Sequence, residues 1–138
     1  MDKSEVKKWV DANMERLLSE YGVPHWEVDV VFLQADESDL YGQCHTSPRY
    51  ERATIELNCP KFKTLEKLEK TLRHEICHIL HAPFNWYAIA VEDALRKLNG
   101  MEPLIASLDT VFDTACELTA KNLERMHHGH KEAYKRKR

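Results

Sequence analysis

The stretch Leu65-Glu-Lys-Leu-Glu-Lys-Thr-Leu-Arg-His-Glu-Ile-Cys-His-Ile-Leu-His-Ala82 reads as a helix that supplies one wall of a core. Leu65, Leu68, Leu72, Ile76 and Ile79 recur three and four residues apart, so they share one side of a helix. Thr64 is placed to cap the first turn, and Glu66 complements its exposed N–H groups. Pro83 lacks an N–H and crowds the preceding turn, so the helix is expected to stop there. Near its end stand His74, Glu75 and His78, an H-E-x-x-H pattern.

Residues four apart on a helix lie one above the other. Two imidazoles placed that way can hold one Zn²⁺ from the same side, and the carboxylate beside the first can take a proton from water activated by that ion. Glu75 is therefore the candidate general base, and His74 and His78 are candidate metal ligands. A core helix can carry two histidines by chance. Here they flank a glutamate in a buried stretch, which favours the metal reading. Cys77 turns about 100° away from His78 and is not a ligand on this geometry. Arg73 points off the face of His74 and reads as structural.

Working outward, residues 4–21 form an amphipathic helix with Val6, Trp9, Val10, Met14, Leu17, Leu18 and Tyr21 on its apolar face and Gly22 at its end. Strands are expected over 26–33, about 40–46, and 52–58, where Ala53, Ile55 and Leu57 alternate inwards. Turns are expected at Asp36–Asp39 and Ser47-Pro48. After Pro83 a helix should run from about Phe84 to Leu98, and another from Ser107 or Asp109 to about Met126, with Gly129 as an exit. The order is helix, three strands, then helices: an α+β domain with one small sheet. Residues 1–126 read as a single domain and 127–138 as a basic tail.

The chain has 138 residues, 43% of them hydrophobic and 31% charged, which suits one globular domain with a real core. No apolar run approaches the ~20 residues of a membrane span, and the charged N-terminus does not read as a signal peptide, so a cytoplasmic chain is expected. The four cysteines, at 44, 59, 77 and 116, form no C-x-x-C pair and read as free, mostly buried thiols. The net charge of −3 is uneven: residues 1–120 carry a balance of −8 and residues 121–138 one of +5. The end of that basic stretch, 131–138, could touch nucleic acid; a solvated tail is the plainer reading.

The H-E-x-x-H helix, with Tyr41-Gly-Gln-Cys44 and Ala53-Thr-Ile-Glu-Leu-Asn58 before it, resembles the zincin superfamily of metallopeptidases, and within it the SprT-like and small phage-type minimal forms. The resemblance spans most of residues 1–126 and implies a zincin-like α+β fold: a small, mainly antiparallel sheet packed against the H-E-x-x-H helix, with further helices after it. It implies one zinc per chain and hydrolysis of peptide bonds. It also implies an edge strand that binds extended substrate by β-augmentation, a role that would fall on residues 53–58.

A catalytic zinc takes three protein ligands and leaves a position for water. The resemblance to glutamate-type zincins implies Glu117 as the third. The residues alone leave others open. Leu108, Val111, Ala115, Leu118 and Asn122 share a face from which Glu117 turns away, so Glu117 also reads as an exposed partner of Lys121. His81 shares the face of His74 but lies seven residues on, about 10.5 Å along the axis, too far for one ion unless the helix breaks. Glu92, Asp93 and Asp113 are further candidates. Metzincins have glycine where His81 stands and histidine where Phe84 stands, and this chain departs from that branch. Tyr87, His81, His45 and His25 are candidates to stabilise an oxyanion. Two other functions compete with a peptidase. One is a zinc-stabilised binding protein without turnover, against which the intact Glu75 argues. The other is a protease docked on nucleic acid by its basic tail.

Overall fold

The computed structural model describes residues 1–34 and 39–136, with side chains as far as Leu123. The acidic turn expected at 36–39 lies, apart from Asp39, outside them. Helix α1 spans Lys3–Glu20. Its start is a capping box: the Asp2 carboxylate accepts from the Glu5 amide at 2.8 Å, and the Glu5 carboxylate accepts from the Asp2 amide at 2.9 Å. Gly22, at φ +72°, turns the chain out of the helix in a conformation that glycine adopts without strain.

Three strands follow, β1 (Glu27–Leu33), β2 (Gly42–Ser47) and β3 (Arg52–Asn58), in the spatial order β1-β3-β2. Strands β2 and β3 are joined through a short 3-10 turn, Pro48–Tyr50, and Glu51 in the left-handed region. So short a connection makes them antiparallel, with Cys44 opposite Ile55. Strand β3 then lies parallel to β1, with Val30 opposite Ile55. The sheet is therefore mixed, where a mainly antiparallel one was expected. Residues 53–58 are not an edge: β3 is hydrogen-bonded on both sides, and β1 and β2 form the edges. Alternation of Ala53, Ile55 and Leu57, all buried, correctly marked one face of β3 but carries no information on its neighbours.

Helix α2 spans Leu65–Arg96, with Pro83 inside it. The expected stop at Pro83 does not occur, and the helix expected from Phe84 is the continuation of the same one. Leu68, Leu72, Ile76 and Ile79 are buried, as their spacing implied, whereas Leu65 is half exposed. With Val6, Val10 and Leu17 of α1, the inward residues of β3 and Phe62, they make up the apolar core. Arg73, only 1% exposed, ties α2 to α1: it is 2.7 Å from both Glu20 and Glu69.

Helix α3 spans Glu102–Arg136. It begins earlier than expected because Pro103 suits a first helical turn, where the missing N–H costs nothing. It also passes through Gly129, the expected exit. Its inward residues are Ile105, Phe112, Cys116, Ala120 and Leu123, buried or half-buried, whereas the face of Leu108, Val111, Ala115, Leu118 and Asn122 is exposed. The chain divides into two compact units, Met1–Leu80 and His81–Arg138. The first holds α1, the sheet and the motif; the second holds the rest of α2 and all of α3. Among the described residues, no helix is long and apolar enough to cross a membrane.

Candidate metal centre

Helical geometry alone brings His74 and His78 together. Both are half-buried, and their Nε2 atoms lie 3.3 Å apart with the rings edge to face. A tetrahedral metal at ~2.05 Å from each of two nitrogens would separate them by ~3.3 Å, so the pair is already spaced for one ion. Among the described residues, His74, His78 and Glu117 form a group that could hold a metal: each offers one ligand atom, and these atoms all lie within 4.8 Å of one another. Two imidazoles and a carboxylate are a donor set that zinc accepts.

Glu75 is 5% exposed and faces β2. A side chain on Gly42 would begin 3.2 Å from Glu75 Cγ and 3.1 Å from Thr71 Cγ2, so only glycine lets the strand lie this close to the helix. Cys44, two residues on, shares the inward face of β2. Burial, and then the nearby Glu75 carboxylate, push its thiol up to about 12, so Cys44 is a neutral neighbour of Glu75 at physiological pH. Gly42 and Cys44 did not emerge from the sequence as residues of the site. A lone glycine inside a strand pattern was the available signal for close backbone approach.

The other candidates are distributed elsewhere. His81 is buried and Asp93 and Asp113 are exposed, and none of them belongs to the metal-capable group. Helix α2 is unbroken through His81, so the axial offset that separates it from His74 stands. Glu92 also lies outside the group. It pairs with Arg96 on the same helix, and desolvation and the Glu92 charge raise the Asp109 carboxyl above its ordinary value. His45 lies on the outward face of β2, opposite to Gly42 and Cys44, and His25 stands 3.9 Å from Glu51. Tyr87 is exposed on α2. Side chains of the basic tail, and of His127, His128 and His130, lie outside the described residues. No two cysteines are joined; Cys59 and Cys77 are buried and the other two half-buried. Comparison of the chain with protein-family models, curated proteins and solved structures found no match.

Proposed function

We propose that this chain is a zinc-dependent hydrolase of peptide bonds, with His74, His78 and Glu117 as metal ligands and Glu75 as general base. The observation that carries the reading is the 3.3 Å approach of the two Nε2 atoms on a helix that places a buried glutamate beside the first of them. A zinc ion held there would polarise the scissile carbonyl and acidify water. Glu75 would accept the proton of the attacking water and deliver it to the leaving amine. Its contact with β2 limits the directions its carboxylate can take, which favours catalysis by pre-positioning. Strand β2 carries no further strand on its outer side among the described residues. Extended substrate would pair there, beside Glu75, and not on the central β3.

The test combines metal analysis with a peptide-library cleavage screen. The parent chain should hold one zinc, and His74→Ala/His78→Ala should lose it. Glu75→Gln should keep zinc and fold yet lose cleavage by about 10²-fold or more, since an amide cannot accept the proton. Equal zinc in the double variant removes the site. Cleavage at the parent's rate by Glu75→Gln removes Glu75 as base. A zinc-loaded parent that cleaves nothing leaves a binding protein.

A further inference from the structure

Strand β2 offers open backbone groups beside the candidate metal centre. The Tyr41 carbonyl accepts from the Asn58 amide at 3.0 Å, so Tyr41 turns its backbone towards β3. Antiparallel pairs alternate, so Gln43 and His45 do the same, while Gly42, Cys44 and Thr46 direct their N–H and C=O groups to the outer edge. Along this strand α2 presents one stripe: Lys67, Thr71, His74 and His78 follow one another at spacings of four, three and four residues. Thr71 and Glu75 stand against Gly42, and Lys67 lies at the Tyr41 end, its Nζ 4.1 Å from the centre of the Tyr41 ring. All of these residues belong to the first compact unit.

Lys67 is half-buried, and no carboxylate among the described residues pairs with it. The Tyr41 ring holds its ammonium from one side by cation–π attraction. An ammonium carries three donors, so donors remain for a ligand on the other side. Lys67 precedes His74 by seven residues, about 10.5 Å along the helix axis. An extended peptide rises about 3.3 Å per residue and covers that distance in about three residues. We infer that Lys67 receives the carboxylate of an aspartate or glutamate side chain, about three residues from the bond held at the metal, in an extended peptide paired with the β2 edge. That preference for acidic peptides rests on the use of the metal centre and of β2 proposed above.

Solvent sets the size of the effect. A lysine–carboxylate pair that stays partly in water changes affinity by up to about fivefold. Lys67 therefore selects among peptides, while backbone pairing and the metal supply most of the affinity. Reversing its charge replaces attraction by repulsion and should invert the preference.

The probes are short alanine peptides with a hydroxamate, a zinc-binding group, at one end and a neutral cap at the other. Each residue in turn is replaced by Glu or by Gln. The hydroxamate fixes the register on the zinc ion, and placing it at either end samples both strand directions. Affinity for the zinc-loaded full chain is read by isothermal titration at low salt, where screening is weak. In one direction, Glu should bind about three- to fivefold tighter than Gln at about the third position from the hydroxamate. The preference should persist in Lys67→Arg, vanish in Lys67→Met and pass to Gln in Lys67→Glu, with helical circular dichroism unchanged in all three. Hydroxamates that bind without preferring Glu overturn the inference alone, as does a preference for Glu that survives in Lys67→Glu. Hydroxamates that bind no tighter than the matching amides overturn the metal centre, and the role of Lys67 with it.

Discussion

At Gly42 the ideal Cβ position lies 3.2 Å from Glu75 Cγ, 3.1 Å from Thr71 Cγ2 and 3.2 Å from the Glu56 carbonyl oxygen. Carbon atoms pack at about 3.5–4.0 Å, so a methyl group there must displace the helix, the strand or the Glu75 side chain. The Glu56 carbonyl belongs to the central strand, and Thr71 and Glu75 are both buried, but the longer Glu75 side chain has more rotatable bonds and yields most readily. Gly42→Ala should cost about 1–3 kcal/mol by overpacking. It should also lower turnover while zinc affinity stays near the parent's, because none of the three atoms nearest that position belongs to His74 or His78. Chemical denaturation and chelator competition on the one variant check both parts, and unchanged stability would show that the contact is not tight. This residue also marks where sequence reading ends. His74, Glu75 and His78 were legible because four residues of helix set their geometry. Gly42 and Cys44 were not, because their place beside Glu75 depends on how a strand approaches a helix some 30 positions away in sequence.

The same distinction holds for whole elements. Helix α1, β3 and the motif portion of α2 were legible because each has a regular apolar period and a cap or turn at its boundary. Helix α2 runs on through Pro83 against the expectation of a stop. One interior proline disfavours a helix by about 3 kcal/mol, a cost that good helix formers such as Ala88, Ala90, Glu92, Ala94, Leu95 and Arg96, and packing of the later turns, can offset. Such packing is seen at Asn85, whose side-chain carbonyl accepts from the Cys116 thiol at 3.6 Å. Between α1 and α2 the tie is ionic, through Arg73. Burial alone would raise the Glu20 carboxyl, but hydrogen bonds from Arg73 and Arg16 outweigh it and hold the group below its ordinary 4.5. A carboxyl whose pKa is depressed on folding stabilises the fold above its unfolded pKa, and that contribution disappears as pH falls through the folded value. The chain should therefore lose stability on acidification from about pH 4.5 downwards. Glu20→Gln should be less stable at pH 7 and lose less over the same acid interval. Thermal melts of both proteins between pH 7 and pH 3 check this, and parallel curves would show that Glu20 contributes no pH dependence.

For the molecule as a whole, the proposed metal is where stability and the proposed activity would meet. Zinc that binds only the folded chain adds RT ln(1 + [Zn]/Kd) to its stability, so ligand assignment can be read from melting as well as from affinity. In the sequence, the helix face of Leu108, Val111 and Leu118 argued against Glu117, which the resemblance nonetheless implied as the third ligand. The face was taken as the inward one, from which Glu117 turns away; in the structure that face is exposed and Glu117 falls in the metal-capable group. A helical wheel ranks faces by polarity, and α3 has apolar residues on two of them. His81 was ranked behind Glu117 by axial distance, and an unbroken α2 preserves that distance. The two residues should then behave oppositely. Glu117→Ala removes one of three proposed ligands and should weaken zinc on the order of 100-fold or more, since even residues that only orient ligands contribute 10–100-fold. Its melting temperature with saturating zinc should move towards that of the metal-free parent. His81→Ala should keep zinc affinity within about twofold, because the residue lies about 10.5 Å along the helix axis from His74. Its zinc-dependent rise in melting temperature should match the parent's, even if burial of the ring makes the apo variant less stable. Affinity retained in Glu117→Ala and lost in His81→Ala would reverse the assignment and require α2 to open before residue 81 when metal binds.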